Sequence, residues 1–408
     1  MNPMLSFEEV LAQLLAAATP VAEIEALPLA AARGRVLAEA QVSGINVPPH
    51  DNSAMDGYLV HAADLTIAGT RLPISQRIAA GSVGQPLQAG TAARIYTGAA
   101  VPAGGDCVVM QEECVEESDE RGHHVLFKQA AVHGKNIRRA GEDIRHGDTV
   151  LAAGIRLLPQ HLGLAASVGI ARLPLRRRLK VALISTGDEL TMPGEVLKPG
   201  AIYNTNLFVL HALLEQLGCT VSNLGTIPDE LEQTRVALRA AAAEHDLILT
   251  SGGVSVGDED HIKPALRAEG ELDLWKIAIK PGKPLAFGRV NKTSGSAAFI
   301  GLPGNPVAAF TTFLMLVRPF ILHCQGVRQT APTTFYVPAG FSWPKPDKRR
   351  EFLRARLGED GRLTLYPNQG SGVLSSAAWA DGLVDLPPAT AVLEGDRLCF
   401  YPFSELLS

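Results

Sequence analysis

A chain of 408 residues with 46% apolar residues holds two to four domains at roughly 100 to 200 residues each, every one able to bury a core. The formal charge of −5 is spread along the chain, and the densest basic run, Arg176-Arg177-Arg178-Leu179-Lys180, leads directly into an apolar strand, which argues against a nucleic-acid partner. Cys107, Cys114, Cys219, Cys324 and Cys399 are odd in number, widely spaced and free of C-x-x-C pairs, a usage expected of reduced thiols in the cytoplasm.

Ser6-Phe7-Glu8-Glu9 is a capping-box pattern, and Phe7, Val10, Leu11, Leu14 and Leu15 recur at helical spacing, so the chain opens on an amphipathic helix. The segment LLAAATPVA looks like a signal-peptide core, but Glu8 and Glu9 precede it and the first basic residue is Arg33, which argues against secretion. From Val42 to about Val150, short apolar pieces are broken by Gly, Pro, Asn and Asp, predicting a β-rich domain with functional loops.

Near Lys180 the texture changes. VALIST, VSNLGTI and LILTSGG read as strands, separated by helices expected over Asn206 to Leu217 and over Asp229 to Ala243, the latter capped by Asp229. This alternation predicts a parallel sheet covered by helices. AAFIGLPGNP repeats the device with a helix starting at Pro306. Val307 to Val317 is the longest apolar helix candidate, short of the ~20 residues of a membrane span and followed by Arg318-Pro319, so a core helix is expected and no membrane partner. After Gly326, TTFYVPAGF, EFLRARL, RLTLYP and DRLCFYPF predict a small β-barrel or sandwich.

Three strand ends, STGDE, TSGGVS and GLPGNP, can line one crevice, where glycines and helix starts favour anions. Ser251 and Ser255 read as anion-binding or turn hydroxyls. Lys276, Lys280 and Lys283 in WKIAIKPGKP add cations; the first two, four apart, are expected on one face of a strand. They fit either a polyanionic ligand or a solvated strand edge. Asp56, Asp143, Asp188, Glu189, Asp229 and Asp260 all stand in or beside turn-rich loops; singly they fit caps and turns, jointly an oxygen cage for Mg²⁺. G-x-G-x-x-G and G-x-x-x-x-G-K-[ST] are both absent, so dinucleotide and P-loop chemistries lack their signatures.

Taken in order, DNSAMDGY, RIYTGAAVP, GEDI, STGDEL, TSGGVSVGDED, WKIAIKPGKP and GLPGNPVAAF resemble the molybdopterin molybdenumtransferases, the family of bacterial MoeA and the gephyrin E domain. The likeness runs from the first helix to about Gly326; beyond that it rests on EFLRARL and NQGSG. It implies a multidomain α/β plus β homodimer with its cleft shared between subunits. The parts are a discontinuous N-terminal domain (1–45 and 140–178), an inserted β-rich domain (46–139), a central parallel-sheet, molybdopterin-binding α/β domain (179–326) and a C-terminal β-barrel (327–408).

The implied activity is insertion of molybdenum from molybdate into adenylylated molybdopterin, with Mg²⁺ or a similar divalent cation and release of AMP. The resemblance implies catalytic roles for Asp260, Lys276, Lys280, Glu189 and Asp229. It implies ligand contacts from Ser251, Gly252, Gly253, Ser255, Pro303, Gly304, Pro306, Thr97, Arg354 and Ser371, and metal-holding roles for Asp56, Asp143 and Asp260. Asp56, Thr97 and Asp143 would act across the subunit boundary. Molybdopterin adenylyltransferase and other cofactor-pathway proteins are the expected partners. The competing readings are adenylyl transfer to molybdopterin, and a gephyrin-like scaffold.

Overall fold

The structure is a computed structural model, and it describes residues 4–227, 230–253 and 261–407. Its centre is a six-stranded sheet in the order Thr220–Ile227, Lys180–Thr186, Leu247–Ser251, Ser296–Leu302, Pro284–Asn291, Gly270–Lys276. The first four strands run parallel. The last two are antiparallel, a feature that strand–helix alternation does not reveal. Pro284–Asn291 and Ser296–Leu302, also antiparallel, need no crossover helix, since residues 292–295 turn tightly from one to the other through Lys292 N–H donating to the Gly295 carbonyl at 3.1 Å.

Side chains alternate between two cores. Val181, Leu183, Leu247 and Leu249 face one side with Leu210 and Leu214 of the helix Thr205–Gln216. Ala182, Ile184 and Ile248 face the other with Leu238 and Leu266, from the helices Leu231–Glu244 and Ile262–Glu269. The helix expected to be capped by Asp229 has Glu230 at its N-cap, with no side-chain capping bond; Asp229 lies outside the described residues.

The apolar helix does not end before Pro319. It runs over Pro306–Cys324, with a π turn at Phe313–Val317 between two α segments. The π turn shifts the hydrogen-bond register just ahead of Pro319, which then falls in the first turn of the next segment, where a missing amide hydrogen is tolerated. Its 19 residues are long and apolar enough to cross a membrane, but 89% of its most apolar stretch is buried inside the protein.

The first helix, Phe7–Ala17, has the capping box written in the sequence, with Glu9 N–H donating to Ser6 Oγ at 3.2 Å and Ser6 N–H to Glu9 Oε2 at 2.7 Å. Its position departs from the domain division above. Phe7, Val10 and Leu14 join the core of the α/β domain, and Phe7 meets Phe352 of the C-terminal domain edge-on at 5.6 Å. The discontinuous unit is instead built by Ile24–Pro28 pairing with Arg172–Arg176, and Gln41–Val42 with Thr149–Leu151, around Leu37, Leu157 and Leu173. Between them lies a six-stranded sheet from Gly57–Val60 through Gly122–Phe127.

The C-terminal domain closes as a barrel. Arg350–Leu357, Gly382–Leu386, Arg397–Pro402 and Phe335–Pro338 pair in sequence. Leu363–Leu365 pairs with Arg350–Leu357, and a bridge from Ala339 to Leu363 joins the ends. Leu353, Val384, Leu386, Val392 and Phe400 fill it. Ile279–Lys280, from the α/β domain, adds itself alongside Arg350–Glu351, so the KPGKP loop is stitched to the barrel.

Candidate active site

The carboxyl ends of Leu247–Ser251 and Ser296–Leu302 open onto a cavity of about 540 Å³, within the size range of small-molecule sites. Gly252 and Gly253 from the first strand end, Pro303 and Gly304 from the second, the loop Lys280 to Pro284, and Arg349 and Ser371 from the barrel all line it. The glycines are required here. Gly252 and Gly253 have φ of +88° and +65°, and a Cβ on Gly252 would stand 2.8 Å from the Thr186 carbonyl oxygen.

Two backbone amides at the loops of this site are already taken by protein carbonyls. The Gly252 N–H donates to the Leu302 carbonyl at 3.1 Å, and the Val307 N–H, in the first turn of the long helix, donates to the Ser371 carbonyl at 2.9 Å. These bonds fix the loops to each other and to the barrel. Lys280, Lys283 and Arg349 bring positive charge to the cavity.

Two asparagines that sequence reasoning left unassigned set the geometry behind the cavity. Asn206, buried at 9% exposure, donates through Nδ2 to Ser251 Oγ at 2.6 Å and to the Gly304 carbonyl at 2.8 Å, tying the two glycine loops together. Asn204 caps the helix Thr205–Gln216 by accepting from Leu207 N–H, and donates to Ser185 Oγ at 2.8 Å. Their signal in the sequence is the run Tyr203-Asn204-Thr205-Asn206 beside a strand end.

Lys276 and Lys280 do not share a strand face. Lys276 ends Gly270–Lys276 of the central sheet, whereas Lys280 belongs to the barrel sheet. The chain crosses between sheets because Ile277 and Ile279 are both fully buried and Leu5 inserts beside them, donating to the Lys276 carbonyl and accepting from Ala278 N–H. Lys280 Nζ then lies 2.9 Å from Glu351 Oε1 and 3.4 Å from Asp347 Oδ2. Arg349 grips Asp347 through Nε and Nη2 at 3.1 and 3.0 Å, and that hydrogen-bonded guanidinium holds the Asp347 carboxyl well below the usual carboxylate range.

Three family models account for most of the chain: the MoeA N-terminal region (domain I and II) over residues 5–169, a probable molybdopterin binding domain over 182–323, and the MoeA C-terminal region (domain IV) over 336–403. A molybdopterin molybdenumtransferase of Haemophilus influenzae is 39% identical over 410 residues, covering 99% of this chain and all of that protein. The chain belongs to the molybdopterin molybdenumtransferase family. Molybdopterin molybdenumtransferase 2 of Mycobacterium tuberculosis is 37% identical and covers 95% of this chain and 96% of its own length. Among solved structures, a molybdopterin biosynthesis MoeA protein from Pyrococcus horikoshii superposes with a TM-score of 0.83 at 28% identity, covering 98% of this chain and 100% of the other.

Not every residue that the family resemblance singles out reaches the cavity. Gly252, Gly253, Lys280, Pro303, Gly304 and Ser371 line it. Lys276, Glu189, Asp56, Thr97, Asp143, Pro306 and Arg354 do not line it within one chain. Ser251 stands behind it on Asn206. Asp56 accepts from both the amide and hydroxyl of Thr97 at 2.7 Å, bonds that lower its pKa. Glu189 folds back over Gly187, where a Cβ would stand 2.5 Å from its carboxylate. Asp229, Ser255 and Asp260 lie outside the described residues.

Arg354, expected to touch the ligand, is fully buried. It donates to Ser376 Oγ at 3.1 Å and to the carbonyls of Phe352 and Gly370, while its amide reaches Gln369 Oε1 at 2.9 Å. Burial pushes its pKa down to about 10. Its place is behind the NQGSG loop, which it fixes against the strand Arg350–Leu357.

Proposed function

We propose that this chain transfers molybdenum from molybdate to molybdopterin, taking the pterin in its adenylylated form and releasing AMP. The observation that carries this reading is the cavity at the strand ends, with Lys280, Lys283 and Arg349 around glycine loops, in a chain matched along its length by family relatives of that printed activity. A tetrahedral oxyanion and a phosphorylated pterin are both anions, and a half-enclosed cationic cavity attracts them more strongly than open water permits. In the insertion itself two Mo–S bonds form and two Mo–O bonds break. The departing oxygens leave as two waters, with two protons from the dithiol and two from the surroundings, and one water is consumed in cleaving the phosphoanhydride to AMP and the pterin phosphate. Holding the oxyanion beside the dithiol is the positioning task the cavity's cations and Ser371 would perform.

A divalent cation has no cage among the described residues. Asp347 and Glu351, the carboxylates next to the cavity, are already paired with Lys280 and Arg349, and no group of three His, Cys, Asp or Glu converges elsewhere among the described residues. The acids Asp258, Glu259 and Asp260 lie outside them.

A homodimer is part of the proposal. Asp56, Thr97 and Asp143 do not line the cavity in one chain, and the α/β domain exposes Ile202, Tyr203, Phe208 and Leu224 at 56, 42, 52 and 43%, apolar surface of the kind a second subunit covers. Mixing a Lys280→Ala chain with an Asp56→Ala chain would restore activity if each cleft draws on both. A reducing, cytoplasmic setting, with an adenylyltransferase supplying the pterin, fits the five free cysteines.

Incubating purified protein with adenylylated molybdopterin and molybdate tests the reaction. Molybdate-dependent AMP release with molybdenum retained on the pterin is expected. AMP transfer from labelled ATP to molybdopterin, with no molybdenum retained, would instead make the protein an adenylyltransferase.

A further inference from the structure

The charges around the cavity are matched in an unusual way. Lys280, Lys283 and Arg349 face it, yet two carboxylates of the barrel stand directly behind them. Glu351 is 2% exposed; its Oε1 lies 2.9 Å from Lys280 Nζ, and its Oε2 accepts from Trp343 Nε1 at 3.0 Å and from the Asp347 amide at 3.2 Å. Asp347 takes the fork of Arg349 and also approaches Lys280 at 3.4 Å. The five groups together leave one net positive charge at the mouth of a cavity lined by three cations.

Glu351 is not needed to bring Lys280 to this wall. The backbone does that, since Ile279–Lys280 pairs in register with Arg350–Glu351. What the carboxylate changes is the field. A buried carboxylate with fixed donors on Oε2 cannot swing away, so it acts as a permanent counter-anion to the ligand.

Resting on the oxyanion reading of this cavity, we propose that Glu351 and Asp347 are its specificity-determining residues: by cancelling two of three cations they keep abundant dianions such as sulfate and hydrogen phosphate from binding on charge alone. Discrimination then falls to size and to hydrogen bonds from Ser371 and the loops, where a larger tetrahedral oxyanion differs from its smaller competitors. In Glu351→Gln, an amide keeps an oxygen for Trp343 while its NH₂ turns toward Lys280, releasing that cation to the cavity.

The test is equilibrium dialysis of the full chain against labelled molybdate, sulfate and phosphate at low salt, for the wild type, Glu351→Gln, Asp347→Asn and Arg349→Ala. Sulfate and phosphate should bind about tenfold or more tightly in Glu351→Gln, with a steeper salt dependence and a smaller molybdate-to-sulfate ratio. Asp347→Asn, at a more exposed position, should shift the same way by a smaller factor and gives a decisive result even if Glu351→Gln folds poorly. Weaker sulfate binding in the carboxylate variants, or an unchanged ratio, would overturn the inference while leaving the cavity an oxyanion site. Wild-type protein that takes up no molybdate, or Arg349→Ala that binds it as well as wild type does, would overturn the oxyanion reading itself and the inference with it.

Discussion

Replacing Asn206 with alanine should loosen both glycine loops at once. Its Nδ2 donates at 2.6 and 2.8 Å to Ser251 Oγ and the Gly304 carbonyl, and each such bond contributes about 0.5 to 1.5 kcal/mol net. Truncation also leaves the buried Ser251 Oγ without that donor, adding about 1 kcal/mol. Alanine returns up to about 0.7 kcal/mol of helix propensity in the first turn of Thr205–Gln216. The balance is a loss of about 2 kcal/mol, or roughly a 30-fold rise in local opening. Hydrogen exchange over residues 247–253 and 301–308 reads it directly. Asn206→Asp should be worse, because a carboxylate would face the Gly304 carbonyl oxygen with nothing to donate. Exchange in Asn206→Ala indistinguishable from wild type would refute the claim that this side chain holds the two loops together.

Three other perturbations follow from the same geometry. Gly282 has φ of +105°, and a Cβ there would stand 2.4 Å from Thr312 Oγ1. Gly282→Ala should therefore destabilise the KPGKP loop by about 2 to 4 kcal/mol, seen as a lower thermal midpoint and weaker anion binding. Arg354→Met should leave the barrel folded by circular dichroism but free the Gln369 to Ser371 loop, raising KM for molybdate more than it lowers kcat; equal KM values would show that the loop holds itself. Asp347 has its folded pKa depressed by Arg349, so the pair stabilises the barrel above the unfolded carboxyl's pKa near 4, and that contribution is lost as pH falls through the lower folded value. Urea unfolding across that acid range should fall more steeply in wild type than in Asp347→Asn.

Much of this architecture is legible locally. Strand ends that stop at Gly252-Gly253 and at Pro303-Gly304 point to the cavity because the chain must pass close beneath a ligand there. The capping box at Ser6 and Glu9 needs only a four-residue window. Long-range pairing is what stays hidden. Lys276 and Lys280 have the spacing of one strand face, but Leu5, far away in the chain, inserts at Ile277 and sends the two lysines to different sheets. Arg349 and Glu351 sit in what reads as a charged turn and strand start, and only the addition of Ile279–Lys280 to the barrel makes them neighbours of Lys280. Asn206 reads as an ordinary helical polar residue until two strand ends close around it. Arg354 carries the opposite lesson, since its motif is recognisable but its side chain is buried behind the NQGSG loop against Ser376.

The central claim is that the cavity between the glycine loops and the barrel is where the oxyanion is held. Anomalous scattering from crystals soaked in tungstate, a heavy stand-in for molybdate, tests it most directly. A tungsten peak within reach of Lys283, Arg349 and Ser371 is expected, lost in Arg349→Ala. A peak elsewhere on the chain, with this cavity empty at saturating tungstate, would contradict it.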